Sequence, residues 1–168
     1  INNVDSDIDI EKNKYLDFLR GNIASYKVEM REMINEINSK SATKKTSFEN
    51  QKNKLKIELN TLKQNGLNEK ENITNYTNML NGENQVCPTC NQLIVNKDEE
   101  HMNNLITESK NKIENITKIA KEKMGTLKEI NSKLDALNTV TDKLVEEKKE
   151  EYEKKIQTIQ YKLDHFEI

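Results

Sequence analysis

Apolar residues return every three or four positions over nearly the whole chain, and the pattern breaks only once. The first flank carries Leu16, Leu19, Ile23, Tyr26, Met30, Ile34 and Ile37. That spacing lines one face of an α-helix, and when sustained it is the heptad seam of a coiled coil. Consecutive four-residue steps through Tyr26, Met30 and Ile34 form a stutter, which locally unwinds a supercoil. The seam thins between Asn38 and Lys54, where only Ala42 and Phe48 are apolar. It resumes at Leu55, Leu59, Leu62, Ile73, Tyr76 and Leu80, with Gly66 and Glu69 at the intervening seam positions. A weak or bent spot is expected near Gly66, and the thin stretch is expected to be the most mobile part of the arms. Ser6, with Asp9 three residues on, reads as the N-cap of this first helix.

The second flank opens equally clearly. Asn96 and Glu99 form a capping-box pattern, and Asp98 falls in the first turn, which favours acids. The seam then runs Ile106, Ser109, Ile113, Ile116, Ala120, Lys123, Leu127, Ile130, Leu134 and Leu137 in alternating steps of three and four. Thr141 and Val145 follow as a second stutter, and Tyr152, Ile156, Ile159, Leu163 and Phe166 complete the arm.

Composition supports exposed helices over a compact core. The chain of 168 residues is 33% hydrophobic and 33% charged, with one Pro, four Gly and no Trp. Globular domains run nearer 45–50% apolar, so most enzyme folds are excluded. A polar chain can also be disordered, but here the net charge is only −2. Opposite charges interleaved with a regular apolar stripe favour helices. The charge balance also argues against a dedicated nucleic-acid domain. No apolar run reaches the roughly 18–20 residues of a membrane span, and no signal peptide is visible. A chain beginning at Ile1 reads as a piece of a longer, intracellular protein (cytoplasm or nucleoid, or nucleus in a eukaryote). Asn72, Asn75 and Asn115 lie in glycosylation sequons, which in a chain with 24 Asn are chance matches.

Folding the chain back at the break gives the expected fold class: all-α, a long antiparallel coiled-coil hairpin. It is one structural unit, with a first arm over 1–80, a knuckle over 81–96 and a second arm over 97–168. At 1.5 Å per residue each arm is on the order of 110 Å long. With the tip between Cys87 and Cys90, Ile34 faces the neighbourhood of Lys143, so the two stutters lie opposite one another, as paired helices that unwind at one height require.

The knuckle holds the only chemistry. It reads NGENQVCPTCNQLIVN from Asn81 to Asn96. Asn81-Gly82 is a turn signal, with Gly82 placed to end the helix as a C-cap. Cys87 and Cys90 flank Pro88 and Thr89, and the apolar run Leu93, Ile94, Val95 follows. A disulfide inside so small a loop restrains the unfolded chain little, so the pair is a metal site or a redox site. C-x-x-C on a turn suits a zinc ion about 2.3 Å from each sulfur. Four ligands are needed and one chain supplies two thiols. The simplest completion is a second copy of the knuckle about a two-fold axis, giving one Zn2+ per two chains and a homodimer clamped by metal. His101, in the second helix, is expected to cap or pack near the tip, or to act behind the ligands. A redox site lacks its usual strand-helix-strand setting here. A third possibility is a metal-free coiled coil joined by inter-chain disulfides.

A long antiparallel coiled coil interrupted at its apex by C-P-x-C resembles the zinc hook of the SMC-like ATPases of double-strand-break repair, SbcC-type in bacteria and phages and Rad fifty-type in eukaryotes. The similarity spans about Val86 to His101, with Leu93 three residues after Cys90 and an acidic helix opening that ends in Glu100-His101. The resemblance implies Cys87 and Cys90 as zinc ligands, completed by the same pair from a second chain. It also implies a tethering module of a DNA repair and recombination ATPase, whose absent heads bind DNA with a Mre-type nuclease. No G-x-x-x-x-G-K-[ST] loop occurs, so this piece is expected to be non-catalytic. A related hook in an anti-phage defence or chromosome-associated ATPase is the alternative.

Overall fold

A computed structural model describes residues 2–82, 89–91 and 99–166. Two long helices account for nearly all of them: α1, Asn2–Asn81, and α2, Glu99–Asp164. α1 therefore begins ahead of the expected cap, and Ser6 lies inside the helix. Asn96 and Asp98, the other expected start signals, fall outside the described residues; α2 opens at Glu99, with Glu99 and Glu100 in its first turn. α1 runs through Gly66 without a break. Threonines are kept compatible with the helix by back-bonding, as when Thr61 Oγ1 donates to the Ile57 carbonyl and Thr126 Oγ1 to that of Glu122. This satisfies the hydroxyl locally.

The chain divides into two compact units. Unit 1 comprises Ile1–Ser47 and Lys133–Ile168. Within it the two helical segments are antiparallel. Tyr15 stacks at a tilt against Phe166 with centroids 5.0 Å apart, and Thr141 Oγ1 lies 2.8 Å from Ser41 Oγ. The core is Leu19, Ile23 and Ile159, with Tyr26, Ile156 and Leu163 packed against it. Tyr152, only 5% exposed, is a second anchor. Its ring lies 6.2 Å from that of Tyr26, its hydroxyl donates to Met33 Sδ at 3.1 Å, and the Lys155 ammonium sits 4.7 Å above its face.

The inward stripe of unit 1 is not a strict heptad. In α1 it passes through Tyr26, Met30, Ile34 and Ile37 in steps of four, four and three. In α2 the same sequence of steps occurs twice, from Leu137 through Thr141 and Val145 to Lys148, and from Lys148 through Tyr152 and Ile156 to Ile159. The pairing corrects the expected register by about one helical turn. The Ser41–Thr141 and Tyr15–Phe166 pairs place Ile34 opposite the turn that follows Lys143. The Tyr26–Ile34 stutter thus lies opposite the one centred on Tyr152, while the stutter at Thr141 meets Ser41. The α1 stutter is therefore matched by a different partner from the one expected, and the stutter at Thr141 faces the thin stretch of α1, where no stutter answers it. The reason is that the gap between Asn81 and Glu99 is centred at Cys90, not between the two cysteines. Ser41 takes the seam position in the thin stretch, and Ala42 is exposed.

Unit 2 comprises Phe48–Ser132. Its segments are also antiparallel, with Lys123 Nζ 2.7 Å from Glu58 Oε2 and Lys112 Nζ 3.9 Å from Glu69 Oε1. Here the stripe keeps alternating threes and fours throughout, from Phe48 through Leu55, Leu62 and Glu69 to Leu80 in α1, and from Ile106 through Ile116 and Leu127 to Ile130 in α2. Met79, Ile130 and the polar Ser109 are its buried residues among those described. Lys123 occupies the seam as expected and is held there by Glu58. Packing of these stripes carries the stability; exposed pairs such as Lys14–Glu11 and Lys155–Glu151 add little, because water screens them.

Candidate metal centre

The break between the helices is built from local backbone chemistry. α1 ends after Asn81, and the Gly82 N–H still reaches back to the Asn78 carbonyl at 2.7 Å. Gly82 ends the helix as expected, with this helical bond in place; no glycine with positive φ occurs among the described residues. Thr89 and Cys90 form a turn, and Asn91 follows with φ 56°. Asn is among the few residues that accept the left-handed region at low cost. A left-handed residue directly after a turn bends the chain sharply.

Cys90 carries a free, exposed thiol on that turn. Cys87, the other expected ligand, lies outside the described residues, as do Leu93, Ile94 and Val95. His101 stands exposed within the first turns of α2, behind Glu99 and Glu100, whose charges favour that helix end. Among the described residues no group of three or more His, Cys, Asp or Glu is arranged to hold a metal ion. Of the expected donor pair, only Cys90 is among the described residues. The pair suits a zinc ion in kind but fills half of a tetrahedral shell. The exposure of Cys90 leaves its sulfur available to a second molecule.

Asn91 is the site residue that reading for ligands passes over. Its signal was present: an Asn directly after the second cysteine, where the turn needs a residue tolerant of positive φ.

Compared with known proteins, the chain matches no family model, no curated protein and no solved structure. No helix among the described residues is long and apolar enough to cross a membrane.

Proposed function

We propose that the chain is a zinc-dependent dimerisation and tethering module: a coiled-coil hairpin whose knuckle, through Cys87 and Cys90, joins the same pair of a second copy around one Zn2+. The observation that carries this reading is the placement of a free thiol, Cys90, on an exposed turn with left-handed Asn91 after it, in the interval between the two long helices. Zinc, when bound, supplies the charge that holds the thiolates together. The chain's own residues orient them: the turn at Thr89–Cys90 presents sulfur outward, and Asn91 sets the chain direction behind it. A tip contact between two knuckles is small, and small interfaces are weak without such a clamp.

The resemblance to the zinc hook extends the proposal to the parent protein, an SMC-like ATPase of DNA double-strand-break repair or recombination that works with a Mre-type nuclease. A hook in an anti-phage defence or chromosome-associated ATPase would use the same module. The work of this segment is associative, and its heads would do the chemistry. A C-x-x-C redox protein is the less favoured reading, because Cys90 stands between two long helices and no strand occurs among the described residues.

The test is mass by light scattering with zinc content, before and after a chelator. A dimer with one zinc per two chains that becomes monomeric on chelation is the expected result. Cys87→Ser and Cys90→Ser are each expected to abolish the dimer while leaving helix content nearly unchanged. A monomer holding one zinc, or a dimer that survives both substitutions, overturns the proposal.

A further inference from the structure

Unit 2 carries a groove of about 530 Å³ beside its seam, and the seam itself explains why it is there. Gly66 and Ala120 occupy positions where the neighbouring turns place Leu62, Ile113 and Leu127. Two small residues about one turn apart along the seam leave the floor low. A Cβ built on Gly66 would lie 3.8 Å from Ile116 Cγ2, an ordinary contact, so side-chain absence and not backbone crowding shapes the space. Leu67 and Met124 form the walls and are 48% and 61% exposed. With Leu62, Ile113 and Ile116 beneath them, they make the groove's lining mostly apolar.

The rim is basic. Lys63, Lys70 and Lys121 border the groove, and no carboxylate lines it. None of the three makes an ion pair among the described residues, whereas Lys112 and Lys123 of the same unit are both paired with glutamates. The other side of the seam at this height differs. Asn65, Asn68, Asn115 and the Lys112–Glu69 pair line it, so that side is polar and carries a carboxylate, whose buried Oε2 has no hydrogen-bond partner among the described residues.

From this asymmetry we infer that the groove docks an amphipathic helix of a partner protein whose apolar face is flanked by acidic residues. Apolar side chains at helical spacing would sit over Gly66 and Ala120 between Leu67 and Met124, and carboxylates on either side would meet the three lysines. Docking of this kind is read through anchors at i, i+3 or i+4 and i+7, with charge complementarity setting partner choice. The surface is distinct from the knuckle, so this inference stands apart from the zinc proposal.

The experiment titrates the 168-residue chain into two labelled helical peptides that share a leucine face, one flanked by Glu and the other by Lys, and reads fluorescence anisotropy. The Glu peptide is expected to bind saturably and at least about tenfold more tightly than the Lys peptide. Lys63→Glu with Lys70→Glu and Lys121→Glu is expected to reverse that order. Gly66→Leu, which fills the groove from within, and Leu67→Asp with Met124→Asp are each expected to weaken binding about tenfold or more, with helix content by circular dichroism unchanged. Equal affinity for both peptides, no binding of either, or variants that leave binding unaltered would overturn the inference. So would binding of phosphatidylserine vesicles in place of the peptides. Self-association of the chelated chain that Leu67→Asp abolishes would likewise overturn it, since the groove would then belong to a second copy.

Discussion

Unit 1 and unit 2 are built from the same two helices, yet they solve the packing problem differently. Unit 2 keeps a strict alternation of three and four and accepts small or polar residues within it: Gly66, Glu69, Ser109 and Lys123. Unit 1 departs from the heptad in steps of four, four and three, and places aromatic mass where the period shifts, at Tyr26 and Tyr152. A period of eleven residues averages more per turn than one of seven, so the stripe drifts the opposite way around the helix. The lesson is that a stutter is tolerable where a large, adaptable side chain can span the widened layer. Where the residues are as small as Ser41 and Thr141, a hydrogen bond takes the place of packing.

The largest test of this contrast is Tyr152→Ala. It removes the buried ring, its donation to Met33 and the seat of the Lys155 ammonium. The expected loss is about 4 kcal/mol, read by urea unfolding, with hydrogen exchange rising in unit 1. A loss under about 1 kcal/mol would mean that the aromatic layer is not what holds the shifted period.

Smaller in effect is the reverse change. Ser41→Leu with Thr141→Leu replaces the polar layer with apolar knobs and is expected to stabilise the chain by about 2 kcal/mol. Destabilisation would show that the layer is too narrow for side chains and that the hydrogen bond is matched to it.

Next, every residue from Ala42 to Ser47 is exposed, so amides there are expected to exchange faster than those of the unbroken stripe of unit 2, by roughly tenfold. Equal protection would erase the distinction between the units at that point.

The smallest effect concerns Glu58. Its carboxyl is held below the ordinary value of 4.5, first by the hydrogen bond from Lys123, against desolvation, and then by the charges of Lys123 and Lys54. A lowered carboxyl pKa contributes stability that is fully present above the ordinary value and is lost as pH falls through the lowered one. Glu58→Gln is expected to flatten that acid-side loss slightly while changing little at neutral pH. A clear drop in stability at pH 7 would assign the pair a larger share than its exposure suggests.

Much of this was legible in the sequence. The periodicity placed Leu19, Ile23, Ile130, Leu134, Tyr152 and Ile159 in the seams, and all are buried. Ser109 and Lys123 were placed there too, because a sustained period identifies a position even when its residue is polar. Lys148 escaped for the same reason in reverse. Reading only apolar residues leaves a gap between Val145 and Tyr152, although a lysine stem can line a seam while its ammonium reaches the edge, here to Glu151 at 2.9 Å. Met79 is buried beside the expected Leu80, since the inward stripe widens to adjacent pairs at the end of α1. The register could not be read from the stripes alone. Antiparallel pairing is set by the centre of the connection, and Cys87–Cys90 marks its chemistry without marking its midpoint. Of the candidate site, Cys90 lies on a turn as the spacing suggested, while Asn91's left-handed backbone was signalled only by its residue type after the second cysteine, not by the ligand motif.

The change of period has a mechanical meaning. Helices laid with a seven-residue repeat wind about each other left-handed, as the strands of a rope do. Tension along unit 2 is therefore coupled to rotation. In the eleven-residue stretches of unit 1 the intrinsic winding is opposite or nearly absent. Within unit 1, those stretches would pass a pull along with little torque.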